Sequence, residues 1–204
     1  MNSYLRVLGT LLALLGLPVS AQAQDCQSFT KTPPTGSWAE WRGVKDFMIQ
    51  AMLGEEMREG KAYIRTELRG GEDKQIMLTI QTLAPKEQLQ SPEEMIVKMG
   101  RMIPMKVPKE SLKKAGPMPV DPSLESCATN MALIGQETIT VPAGTFMTFH
   151  YKDAKTGNES WLSPQVPFGI VKLRIVGTGE STLFAFGTGA KSAITEAPID
   201  MPRE

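Results

Sequence analysis

Histidine is the first scarcity: His150 is the single imidazole in 204 residues. One histidine cannot furnish the H-E-x-x-H or multi-histidine ligand sets of zinc sites. No G-x-S-x-G surrounds any serine, so a Ser-His-Asp hydrolase would need an unsignalled arrangement built on His150. Its plainer reading is a strand histidine, hydrogen-bonded or solvated. A surplus of one charge is lacking too, since 22 Lys and Arg balance 22 Asp and Glu. That argues against a nucleic-acid or anionic-membrane surface, both of which need clustered Lys and Arg. Lys113-Lys114 is a solvated pair, and Glu55-Glu56 and Glu93-Glu94 read as a loop surface and a helix start. Gly187 to Ser192 (GTGAKS) fails as a phosphate loop, because Ala190 stands where a Gly must precede the Lys. The expectation is a non-enzymatic protein without a cofactor and without a metal site of the usual kinds.

Long apolar runs are missing except at the start. Arg6 followed by Val7 to Leu17 and then Ala21-Gln22-Ala23 has the charged, apolar and small-x-small parts of an export leader. The run is too short to span a bilayer, so the mature chain carries no transmembrane segment. Residues 1–23 are therefore read as a signal peptide, 24–196 as one domain and 197–204 as a flexible tail, which places the protein in the periplasm or outside the cell. Ala23-Gln24-Asp25 before Cys26 does not resemble a lipid-attachment site.

Cysteine is scarce, with Cys26 and Cys127 the only two. In an oxidising compartment an even pair most often forms a structural disulfide. Closing a loop of roughly 100 residues contributes up to about 4–5 kcal/mol in the chain-entropy account. A redox pair or metal ligands would usually show C-x-x-C spacing, which is absent here.

What is present reads mostly as strand. Trp38 to Val44 puts Trp38 and Trp41 on opposite faces. Phe47, Ile49, Ala51 and Leu53 share a face, as do Ile64, Thr66 and Leu68, and Ile76, Leu78 and Ile80. These runs form a meander. Glu137 to Val141 alternates up to the break at Pro142-Ala143-Gly144, and Thr145 to Tyr151 supplies its partner. Glu159 to Ser163, Gly169 to Val176 and Ser181 to Phe186 complete the strand set.

The stretch Gly135-Gln136-Glu137-Thr138-Ile139-Thr140-Val141-Pro142-Ala143-Gly144-Thr145-Phe146, with Trp161-Leu162-Ser163 and Val166-Pro167-Phe168-Gly169-Ile170-Val171-Lys172, carries a resemblance. It resembles exported bacterial domains of unknown function whose fold is similar to that of the periplasmic lipoprotein carriers. Gly54-Glu55-Glu56, Gly60-Lys61-Ala62-Tyr63 and the segment around Met95 to Met105 extend the likeness over most of the mature chain. The resemblance implies a strongly bent antiparallel sheet with helices over its concave face, and no assigned catalytic residues.

One segment breaks the strand period. Ser91-Pro92-Glu93-Glu94 has the parts of a capping box, and Met95, Ile96, Met99, Met102 and Ile103 follow at helical spacing until Pro104. A second short helix is expected from about Lys109 to Ala115. The fold class expected is α+β: one curved, half-barrel-like sheet of about eight or nine strands, with one or two helices covering the concave face.

Methionine is the one excess, 13 in all. Three readings compete for Met95, Met99, Met102, Met105 and Met118. They pack an ordinary core, they line an adaptable groove for an apolar small molecule, acyl chain, lipid or lipoprotein, or they bind Cu(I) through thioethers. The groove reading places Met95, Ile96, Met99, Met102 and Ile103 along a ligand between sheet and helix. Its rival is an interaction module of the envelope with a filled core and an exposed patch around Trp161 and Phe168. The cysteine reading is checked by mass spectrometry of the unreduced exported protein. Both thiols are expected to resist alkylation, and two free thiols refute the pairing.

Overall fold

A computed structural model of the protein describes residues 32–115 and 131–201. The leader, Cys26, Cys127 and Met118 lie outside the described residues. The described chain forms strands β1 (Trp38–Arg42), β2 (Asp46–Arg58), β3 (Lys61–Glu72), β4 (Gln75–Pro85), β5 (Glu94–Met99) and β6 (Met105–Lys106). Helix α1 (Lys109–Ala115) follows, then β7 (Met131–Val141), β8 (Gly144–Asp153), β9 (Glu159–Leu162), β10 (Ile170–Ile175), β11 (Gly179–Gly187) and β12 (Ile199–Asp200). All twelve strands join one open sheet in the order β12-β6-β5-β4-β3-β2-β1-β11-β10-β9-β8-β7.

This corrects the expected fold class. The described chain is nearly all β, with twelve strands instead of eight or nine and one helix of seven residues. The capped helix expected over Met95 to Ile103 is strand β5 followed by a turn. Its backbone groups pair across to β4, from Leu83↔Glu94 to Leu78↔Met99, instead of forming bonds along a helix. Ser91 donates its amide to Gln88 O in a turn, and Glu93 N reaches Leu83 O, so the capping-box residues lead into the ladder. The physical reason is local. The segment between Pro92 and Gly100 is too short for a helix to stand without packing, and Ile96-Val97 suits a pleated surface next to an unpaired β4 edge. Helix α1 does occur where expected. It does not cover a sheet face: Leu112 shares a groove with Pro85, Gln88 and Pro92 at the β4–β5 connection.

The core lies where β1 meets the C-terminal strands. Trp41 is 1% exposed, and its indole N–H donates to Ile170 O at 3.0 Å. The Phe168 ring meets Trp41 edge-on, centroids 6.3 Å apart, an arrangement aromatic quadrupoles favour. Phe168 adopts a positive φ of 62°, unusual for a residue with a Cβ, and Gly169 follows at 75°. Two left-handed residues in succession reverse the chain after β9 and deliver the ring to the core. The sheet rolls at this end, because Ala143 N in the β7–β8 turn reaches Leu183 O on β11, and Val141, Phe146, Leu162 and Leu183 join the same cluster.

The opposite face of β3 and β4 is covered by the chain's own C-terminal segment. Glu67, buried at 1% exposure, is the anchor. Its carboxylate accepts from Arg69 Nε at 2.6 Å, Ser192 Oγ at 2.7 Å, Ala193 N at 2.9 Å and Gln81 Nε2 at 3.2 Å. Lys98 pairs with Glu196 farther along, and β12, within the segment read as a tail, lies parallel to β6. A buried carboxylate is tolerable only with such partners, and removing it strands them all. Glu67→Ala is expected to cost about 3 kcal/mol in urea unfolding and to expose the Ala193 amide to hydrogen exchange. Full protection at Ala193 in that variant would show that the segment is held by something else.

Candidate functional site

Strand register sorts the N-terminal half of the sheet into rows. On the core face one row runs Ala39, Gln50, Leu68, Ile80, Val97, Met105, each residue paired with the next. A second runs Trp41, Met48, Gly70, Leu78, Met99, and a third Met52, Thr66, Thr82, Met95. The first two rows start in the core and leave it, and the third ends buried at Met95. Ala39 is fully buried and Trp41 nearly so, Leu68, Ile80 and Val97 are half-buried, and Leu78 and Met99 reach 37% and 45% exposure. An apolar strip thus emerges from the core across β3, β4 and β5.

The strip holds no charged side chain. Thr66 and Thr82 satisfy each other through a hydroxyl bond of 2.8 Å, which leaves Leu68, Ile80, Val97, Leu78 and Met99 as its working surface. Such a surface offers dispersion and area burial and nothing that could transfer a proton. The charged groups nearby lie on the reverse face. There Arg58 and Arg65 flank Glu94; burial raises the Glu94 carboxyl's pKa, and the Arg58 hydrogen bond and charge outweigh that, holding it below the ordinary carboxylate range.

The structure divides the five residues expected to line a ligand. Met95 and Met99 lie on the core face, Met95 buried beside Thr82 and Met99 at the exposed end of its row. Ile96 is on the reverse face, opposite Gln81, because one residue along a strand crosses the sheet. Met102 and Ile103 sit in the exposed turn between β5 and β6. Reasoning at helical spacing missed Leu68, Leu78, Ile80 and Val97, although the period-two runs in β3 and β4 carried the signal. Trp161 and Phe168, expected in an exposed patch, are both buried. Among the described residues no group of three His, Cys, Asp or Glu could hold a metal ion.

A polar cluster spans the reverse face of β7 to β10. The His150 ring stacks on Trp161 at 4.2 Å, and Lys172 Nζ lies 4.7 Å from the other ring's centroid. Trp161 Nε1 donates to Glu137 at 2.6 Å, while the two His150 nitrogens lie 3.2 Å from Glu137 and Glu159. Arg174 and Lys152 also bond Glu159. Every member faces a charged or aromatic partner on a neighbouring strand, so the cluster reads as a cross-strand ladder that pins the register.

The chain matches no known protein-family model and no curated protein. Solved structures similar to it include two crystal structures of bacterial proteins. One is a Bacteroides fragilis "putative exported protein with YmcC-like fold", 10% identical, TM-score 0.40, over 78% of this chain and 99% of that one. Another is a "putative lipoprotein" of Parabacteroides distasonis, 13% identical, TM-score 0.40, over 78% of this chain and 98% of that one. Neither description names a ligand or an activity.

The polar cluster makes stability depend on acid. Burial raises the Glu159 carboxyl's pKa, but the His150 hydrogen bond, the Arg174 charge and the Lys152 hydrogen bond overcome it and hold the carboxyl below its usual 4.5. A carboxyl lowered on folding contributes stability above its unfolded pKa and loses it as pH falls through the folded one. Thermal midpoints are expected to drop as pH falls from about 4.5, with a shallower drop in Glu159→Gln. Equal slopes for the two proteins would remove Glu159 from that account.

Proposed function

We propose that this is an exported, non-enzymatic protein of the envelope that binds an apolar, chain-like ligand such as an acyl chain on the strip formed by Leu68, Ile80, Val97, Leu78 and Met99. The observation that carries the reading is the run of rows from the buried Trp41 to the half-exposed Met99 without a charge on the way. An extended hydrocarbon laid across three strands would continue the core outward and remove those side chains from water, at about 25 cal/mol per Å² of apolar area. Unbranched Met99 and Met105, with Met48, give the strip an adaptable surface, which suits a ligand of variable length. The leader read at residues 1–23 supports the location.

The test is native mass spectrometry of protein purified from its own envelope, followed by titration with a fluorescent fatty acid. The wild-type protein is expected to carry or take up one acyl ligand. Ile80→Thr, which keeps the β-branch but trims the terminal methyl and adds a hydroxyl, is expected to weaken uptake roughly tenfold while lowering stability only by about 1–2 kcal/mol. A wild-type protein that arrives ligand-free and ignores the probe refutes the proposal.

A further inference from the structure

The large apolar side chains exposed among the described residues are concentrated at one end of the sheet. Four turns lie side by side there: β5–β6, β3–β4, β1–β2 and β10–β11, in the order of their strands. On or beside each, aliphatic or thioether side chains stand in solvent: Met102 and Ile103, Met77 in the β4 bulge just past its turn, Val44, and Ile175 at the end of β10 with Val176. Val44 is 95% exposed and Val176 62%. The turns are locked to their neighbours, since Gly100 N bonds Met77 O, Asp73 N bonds Lys45 O, and grooves shared with Val44 join the first meander to Ile175 and Glu180. Tight left-handed residues hold them, Asp73 and Lys74 in succession and Gly100 and Gly177 singly. With strands about 4.8 Å apart, successive turns stand about 10 Å apart, so the rim runs about 30 Å along the sheet.

We infer that this rim docks on a lipid bilayer, its turn tips inserting among the headgroups. Two features on the rim favour lipid over a protein partner. The apolar groups are spread over four separate turns along a line instead of forming one packed patch. The charges between them cancel, with Lys45, Lys74, Arg101 and Arg174 against Asp46, Glu72, Asp73 and Glu180, which fits zwitterionic headgroups and gives no reason for an anionic surface. A third feature is continuity. Leu78 and Met99, the exposed end of the apolar strip, lie at the base of this rim, so a chain could pass from bilayer to strip without crossing water. That last step rests on the acyl-ligand reading; the docking itself does not.

Flotation of the exported chain with phosphatidylcholine vesicles tests the inference. The wild-type protein is expected to float, and high salt to leave flotation unchanged. Val44→Asp, Met77→Asp and Val176→Asp together alter three separate tips outside the strip. This triple variant is expected to lose roughly a hundredfold or more in vesicle partition while keeping the wild-type melting temperature and fatty-acid probe binding. A wild-type protein that stays in solution, or a triple variant that floats equally well, overturns the inference. So does a dimer in gel filtration that the triple variant dissolves without any vesicle binding, which would make the rim an interface between copies. Ile80→Thr separates the two proposals, since it should lower probe binding and leave flotation intact. Flotation without probe binding would sink the acyl reading alone.

Discussion

The pairing of β1 with β11 is the constraint on which the rest of this fold depends. Five residues, Trp38 to Arg42, bond β2 on one side and β11 on the other, and so join the N-terminal meander to strands almost 150 positions later in the chain. Trp41 secures that junction from within through its bond to Ile170 O and its contact with Phe168. Without it the molecule would be two sheets, each with an open edge and an apolar face. Contacts of such sequence separation are slow to form, because the loop they close must be ordered before they contribute anything.

The two faces then divide the work. The reverse face holds the buried carboxylates among the described residues, and each is answered, Glu67 by the C-terminal segment and Glu159 by Arg174, Lys152 and His150. These networks hold the register, since shifting a strand by one residue would carry each charge into the apolar side. The core face is closed only near β1 and the C-terminal strands. Away from them it thins to the strip at Ile80 and Met99, which is where a ligand-binding surface can exist without weakening the core.

Strand identity was legible along most of the chain. The alternation in Phe47 to Ala51 and in Ile64 to Leu68 survives in β2 and β3, and Lys109–Ala115 is the short helix expected; bulges break the alternation at Leu53 and Met77, so that Ile76 pairs with Gly71 on the reverse face while Leu78 pairs with Gly70 on the core face. The failure lay at Met95 to Ile103. Its apolar residues satisfy a helical period and a strand period about equally well, and local capping signals favoured the helix. The edge of β4 decided otherwise, and an edge cannot be seen until the strands before it are placed.

What the sequence determined by itself was the local period of most segments, the turn at Pro142-Ala143-Gly144, and the lack of familiar catalytic and metal motifs. These are properties of neighbours in the chain, set by sterics and side-chain chemistry over a few residues. Only the tertiary structure decided that β1 pairs with β11, that Ile96 and Met99 lie on opposite faces, that Trp161 and Phe168 are buried, and that Val44, Met77 and Val176 gather on one rim. Each of those depends on pairing between distant strands, and backbone hydrogen bonding is the same for every sequence. The choice of partner therefore emerges only when the whole set of strands competes for burial.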